Sequence, residues 1–408
     1  MLVAHASPDG QAGVQGRRVA VTGLGVVAPC GTGPEAFWAG LLGPAPEGLR
    51  RVQGLDATSI YGPKELRRVD RFTQFAAVAA AQAVADAGGL DGPTGLAVDP
   101  DRAGVMIGTG IGGIETLEEQ FQVLRDRGAR RVSPFLVPMM MGNRAAADVS
   151  MRYGFRGPCE AVVTACAAGT HSVANGARLV ATGRCDVVLA GSSEAAMTEI
   201  GVAGFSNMTA LSTSGVSMPF DVKRDGFVMG EGGAVLVLEE MERALARGAH
   251  IYCEVAGGAS TADAHHITAP SPQGTGAVAC MELALADAGL TPDAVTHINA
   301  HGTSTPANDL AEGHAITKVF GTPGPAVTSV KGITGHSLAA AGSLEAVALA
   351  LTIDKGIIPP TFGLTELDPD IHIDVVVGAP RAWTPGPALS NSFGFGGHNG
   401  TLLLTPVS

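Results

Sequence analysis

One order of elements occurs twice in this chain, and it limits the available folds more than any single motif does. In the first half a β-favouring run, Val162-Val163-Thr164, ends at Ala165-Cys166-Ala167, and small residues then begin a helix expected to reach about Leu179. In the second half Ala326 to Lys331 leads through a glycine loop to His336, which is expected to open another small-residue helix, Ser337 to Ile353. Val295 to Thr303 likewise echoes the run Ala103 to Thr109, and both end in Gly-Thr. A repeated order of strand, loop, reactive residue and helix indicates duplication even where identity is weak. The natural cut falls near residue 255, giving halves 17–255 and 256–408.

The strands themselves set the fold class. Ala103 to Gly108, Asp186 to Gly191 and Gly232 to Leu238 are apolar almost throughout and alternate with helices such as the alanine-rich Phe72 to Ala87. Strands without polar alternation are covered on both faces, which makes this an α/β protein. The chain has 408 residues, 46% hydrophobic and only 16% charged, enough for a large core or two domains. Gly23-Leu24-Gly25-Val26-Val27-Ala28 matches a dinucleotide fingerprint on paper. Pro29, Gly31 and Gly33 follow where that fold needs a helix, so we read these glycines as a tight turn made for packing.

Several function classes are excluded at this point. A net charge of −12 argues against general nucleic-acid binding. The six cysteines form no CxxC pair and no zinc spacing, so no metal is expected. No apolar run of about 18 residues is present, so no membrane span is expected. Residues 1–16 read as a loose disordered tail without a signal-peptide core, and a reducing cytoplasm suits the thiol chemistry.

Cys166 is the first candidate for chemistry. A helix N-terminus offers unpaired N–H groups and a positive dipole end, both of which stabilise a thiolate. The competing reading is a small buried hydrophobe, which most lone cysteines are. His301, in Asn299-Ala300-His301-Gly302-Thr303, and His336, in Gly332-Ile333-Thr334-Gly335-His336, both begin polar glycine-bearing turns. A histidine near a helix N-terminus is disfavoured in its charged form, and a neutral imidazole can donate one Nε2–H to a developing oxyanion. Taken alone, each reads more simply as a satisfied loop histidine. Glu345 interrupts an apolar helix, where an ionised carboxylate needs a partner, and Lys331 is a plausible one. Ser390 to Asn399 places Phe393 and Phe395 between glycines, either as a gate or as a tight turn with two core rings.

Together these residues resemble the β-ketoacyl-ACP synthases, condensing enzymes of the thiolase superfamily, of the elongating fatty-acid synthase II type and the catalytic ketosynthase of type II polyketide synthases. The resemblance runs from about Arg18 to Leu404. It rests on Thr164 to Ala167, Pro219-Phe220-Asp221, Arg224 to Phe227, Gly230-Glu231-Gly232, Ala300 to Pro306, Lys331 to His336 and Asn391 to Gly397. It implies a five-layer αβαβα thiolase fold made of two similar halves. It implies that Cys166 accepts the acyl chain and that His301 and His336 assist decarboxylation of a malonyl group. Lys331 would hold the second histidine, with Glu345 as its partner. The N–H groups of Cys166 and Phe395 would form an oxyanion hole, and Phe395 would gate the pocket. Thr303 and Thr305 would hold the phosphopantetheine arm, and Phe205 would line the acyl tunnel. No cofactor is expected to be bound, because the carrier protein brings the phosphopantetheine.

Gly25 to Pro29 with Phe37-Trp38 resembles polyketide ketosynthases, whereas Gly394 to Gly400 resembles fatty-acid enzymes. Ala168 and Asn308 depart from serine and glycine, the residues usual at those positions. The reading leans to type II polyketide elongation, with primary fatty-acid elongation as the alternative. A chain-length-factor subunit without catalysis is the alternative of another class, and the presence of Cys166 argues against it. The expected partners are an acidic acyl carrier protein, docking on Lys64, Arg67 and Arg68 with Arg127, Arg130 and Arg131, and a second subunit, identical or a chain-length factor. Pro138 to Gly142 is a candidate for that subunit interface.

Overall fold

Alternate residues of the apolar strands face different helical layers, and this sets the architecture. In the computed structural model, which describes residues 16–46, 48–92 and 95–407, Leu236 and Leu238 point into one core and Val235 and Val237 into another. The strands are β1 (Val19–Ala28), β2 (Ala103–Gly108), β3 (Cys159–Glu160), β4 (Val187–Glu194) and β5 (Gly232–Glu240) in the first half. The second half holds β6 (Cys253–Ala262), β7 (His297–Asn299), β8 (Ala326–Thr328), β9 (Ala388–Gly394) and β10 (His398–Thr405).

Their order carries the duplication. The first half reads β3-β2-β4-β5-β1 and the second β8-β7-β9-β10-β6, joined where β1 pairs with β6. In each half the first two pairings are parallel and the next two antiparallel. The cut placed between 255 and 256 falls after the third residue of β6, and the repeat in strand order starts with β6 itself. The expected tail, residues 1–16, lies outside the described residues except for Gly16.

Helices fill three layers. Helix α1 (Arg71–Asp86) covers one half-sheet, with Asp70 capping it by accepting from the Phe72 N–H. Helices α3 (Thr275–Asp287) and α4 (Pro306–Phe320) cover the other half-sheet. Between the half-sheets lie α2 (Ala168–Ala181) and α5 (Ala341–Lys355). Every residue of α5 from Ala341 to Ile353 is buried, as a helix enclosed on all sides requires. Full burial of each Leu, Val or Ile there contributes roughly 1.5–3 kcal/mol over exposure. The two central helices meet their sheets symmetrically. Thr170 Oγ1 lies 2.7 Å from Ser392 Oγ, and Ser343 Oγ lies 2.7 Å from Ser192 Oγ.

Two details differ from the sequence reading. Gly23 and Gly25 lie within β1, not in a turn, and a Cβ on either would strike the backbone of α1 at Ala83 or Ala79. Their role is close helix–sheet approach, which accounts for the glycine spacing without a nucleotide. The helix expected from Ser337 starts at Ala341, after a tight turn Leu338–Ala340. That turn matches Ala165–Ala167 before α2, and Ala165 and Leu338 share a φ of 49°. The counterpart of Cys166 is therefore Ala339, and His336 stands three residues before it.

Candidate active site

Cys166 lies in the strained turn that feeds α2, with its side chain 6% exposed at a cavity of about 400 Å³. A left-handed φ at a residue with a Cβ costs about 1–3 kcal/mol, and it holds the thiol out of the helix and toward the cavity. Gly394 lets β9 approach this turn, because a Cβ there would lie 3.0 Å from the Cys166 nitrogen and the Thr164 oxygen. The same strand end brings the Phe395 N–H into hydrogen bonding with Cys166.

The two imidazoles come from the other half. His336 Nε2 is 3.1 Å from Cys166 Sγ, and the His301 and His336 rings stand edge to face with centroids 5.4 Å apart. Lys331 Nζ hydrogen-bonds Glu345 Oε1, lies 2.6 Å from the His301 carbonyl and 3.3 Å from His301 Nδ1. An ammonium has three protons and no lone pair. All three have acceptors here, so His301 Nδ1 accepts and the ring proton sits on Nε2. The lysine therefore orients the first histidine, not the second as the resemblance implied. Glu312 fixes the same turn, with its two oxygens each 2.8 Å from the N–H groups of His301 and Gly302.

His336 Nδ1 is buried and has no partner among the described residues. A stranded lone pair costs less than a stranded N–H, which places the proton on Nε2, facing sulfur. Both imidazoles then present an Nε2–H to one cavity. Burial first, and the Lys331 charge second, hold both histidines well below their ordinary range, so both are neutral. Neutrality was expected from helix ends, but burial is the larger cause. The thiol departs from expectation. Burial pushes Cys166 up to about 11, against the pull of Lys331 and the Phe395 N–H. The helix end alone does not produce a resting thiolate in a pocket this dry.

Burial also pushes Glu345 up to about 7, with Lys331 opposing, and Glu345 Oε2 has no partner among the described residues. Thr303 and Thr305 line the cavity with their hydroxyl oxygens 2.9 Å apart. Phe205 and Phe395 also line it, their ring centroids 6.5 Å apart. Lys64, Arg67, Arg68, Arg127, Arg130 and Arg131 are all exposed and do not line the cavity. Arg68 lies 4.3 Å over the Phe135 ring, which ties the first basic segment to the chain just after the second. The sequence reading did not single out Glu194 or Glu312. Both are buried carboxyls pushed up to about 7 by desolvation, and Glu194 lines the cavity.

Two half-sheets and three helical layers, with reactive groups from both halves at one cavity, define a thiolase-like enzyme. The family comparisons name it more closely. Residues 49–244 match the β-ketoacyl synthase N-terminal domain and residues 252–365 match its C-terminal domain. The chain belongs to the β-ketoacyl synthase family and is a ketosynthase acyltransferase. It is 45% identical over 413 residues to a 3-oxoacyl-[acyl-carrier-protein] synthase 2 of Synechocystis, covering 96% of this chain and 98% of that one. Among solved structures, the ishigamide ketosynthase/chain length factor superposes with a TM-score of 0.90 at 33% identity, covering 96% of this chain and 100% of that one. A ketosynthase solved with its type II PKS acyl-carrier protein and bound to a hexaketide superposes with a TM-score of 0.87 at 34% identity, covering 97% and 100%. No helix among the described residues is long and apolar enough to cross a membrane.

Proposed function

We propose that this enzyme elongates acyl chains by decarboxylative Claisen condensation on carrier-borne substrates. The observation that carries the reading is the convergence of Cys166 Sγ, His336 Nε2 and the His301 ring on one cavity. In the first half-reaction Cys166 Sγ adds to the carrier thioester, its proton passing to the departing carrier sulfur, and the N–H groups of Cys166 and Phe395 receive the developing oxyanion. The carrier C–S bond then breaks and the carrier thiol leaves. In the second, malonyl-ACP loses carbon dioxide, and the electron pair of the broken C–C bond becomes an enolate. The Nε2–H groups of His301 and His336 stabilise its oxygen. The enolate carbon attacks the Cys166 thioester, a C–C bond forms, and the cysteine thiolate departs. Thr303 and Thr305 hold the phosphopantetheine arm, and Phe395 gates the cavity.

The sequence reading leaned to polyketide elongation. The comparisons favour fatty-acid elongation, because the 45% identical relative is a 3-oxoacyl-[acyl-carrier-protein] synthase 2 and the ketosynthases solved with a chain length factor or a hexaketide stand at 33–34%. Given decanoyl-ACP and excess malonyl-ACP without a reductase, the enzyme is expected to add one two-carbon unit and stop. Repeated additions to one chain, read by mass spectrometry of the carrier, would restore the polyketide reading.

The carrier is proposed to dock on Lys64, Arg67 and Arg68 with Arg127, Arg130 and Arg131. Reversing Arg67 and Arg68 to glutamate is expected to raise the apparent KM for acyl-ACP by about tenfold and to spare acylation by a small thioester. Equal effects on both donors would rule out docking there. Val137 and Met141 are 60% and 41% exposed beside the cavity-lining loop, an apolar surface suited to a second subunit. A strictly monomeric enzyme in analytical ultracentrifugation would contradict that assignment.

A further inference from the structure

The pseudo-symmetry of the two halves singles out a carboxyl that the proposed mechanism does not use. Ser192 and Ser392 make matching hydrogen bonds to the central helices, so Glu194 stands where Gly394 stands in the other half. At Gly394 the absent side chain lets β9 close on the nucleophile turn. At Glu194 a side chain fills the equivalent space, against the turn that contains Ala339, the counterpart of Cys166.

Glu194 is fully buried. One oxygen accepts from Thr109 Oγ1 at 3.1 Å and the other from the Gly110 N–H at 2.7 Å. A Cβ on Gly110 would lie 2.6 Å from Glu194 Oε2 and 3.5 Å from Ala339 Cβ, so the carboxyl and the Ala339 turn both close on Gly110. Thr109 Oγ1 in turn accepts from the Gly112 N–H at 3.1 Å. Ser192, two residues earlier on β4, donates to the Ala339 carbonyl at 2.7 Å, so the end of β4 holds two separate segments, the loop after β2 and the turn after His336. Gly110, Ile111 and Leu338 from those segments line the cavity together with Glu194 and Cys166.

We infer that Glu194 is a positioning residue that clamps these two segments into the wall along which a Cys166-bound acyl chain lies. This rests on the acyl-enzyme reading above. A chain of ten carbons must lie along the wall, whereas an acetyl group need not reach it. A glutamine keeps one acceptor oxygen instead of two, so the Thr109 hydroxyl and the Gly110 N–H can no longer both donate to it.

The test compares kcat/KM for transfer of decanoyl and acetyl groups from ACP to wild-type enzyme and to Glu194→Gln, with iodoacetamide alkylation of Cys166 as the third readout. Glu194→Gln is expected to lose about 10²-fold with decanoyl-ACP, since an ångström of misplacement costs that much. Acetyl transfer and alkylation are expected to stay within about threefold. Thr109→Val, which removes one donor and no charge, is expected to show the same chain-length split at smaller size, and it stands alone if Glu194→Gln does not fold. Equal losses for both chains, or no loss, in a folded variant would overturn the inference. A wild-type enzyme that takes no acyl group on Cys166 would instead overturn the reading beneath it.

Discussion

In Lys331→Met, the folded enzyme is expected to lose about 3–5 kcal/mol of stability, because the buried Glu345 carboxylate is left without its cation. His301 would lose the donor that fixes its tautomer at the same time. The double variant Lys331→Met/Glu345→Leu removes both charges from one buried site. Pairs of this kind replaced by apolar groups of similar volume are often neutral, so most of the stability should return. Condensation should not return, because nothing then holds the proton on His301 Nε2. Urea unfolding followed by circular dichroism measures the first claim, and release of labelled carbon dioxide from malonyl-ACP measures the second. A single variant as stable as wild type would show that Lys331 and Glu345 are not a coupled pair. A double variant that condenses normally would remove Lys331 from the account of His301.

His301→Ala separates the two half-reactions. His301 faces the cavity but makes no hydrogen bond to Cys166 Sγ, whereas His336 does. Acylation of Cys166 is therefore expected to persist within about tenfold. Decarboxylation loses one of two donors to the enolate, which costs about 10²–10³-fold where a preorganised donor is removed from a dry site. Single-turnover acylation by octanoyl-ACP and carbon dioxide release under the same conditions give the two numbers. If both fall together, the division of labour between the imidazoles fails. His336→Ala is the informative companion, since it removes the ring at 3.1 Å from sulfur and is expected to slow both steps.

The sequence carried the site further than it carried the fold. Cys166, His301 and His336 each read alone as a structural residue, and they could be singled out because their motifs together resemble one family. Glu345 could be paired with Lys331 because a carboxylate amid Leu344, Ala346 and Val347 requires a cation. The histidine held by that lysine could not be read. His336 is five residues away and His301 thirty, yet the parallel pairing of β7 with β8 brings the distant one alongside. The start of α5 was misplaced because a left-handed φ at Leu338, a residue with no preference for it, leaves no mark in the sequence. The thiol was expected too acidic because a helix N-terminus is visible in a sequence and the depth of burial around it is not. Glu194 was overlooked for a related reason. It ends an apolar strand where a solvent-facing carboxylate would look the same, and only the fold shows the Thr109 hydroxyl and the Gly110 N–H closing on it.

The central claim is that one sulfur carries the growing chain. Intact-protein mass spectrometry after mixing with octanoyl-ACP, in the absence of malonyl-ACP, tests it most directly. The enzyme should gain the mass of a single octanoyl group, peptide mapping should place it on Cys166, and Cys166→Ala should gain nothing. An acyl group on any other residue, or an equal gain in Cys166→Ala, would contradict the account.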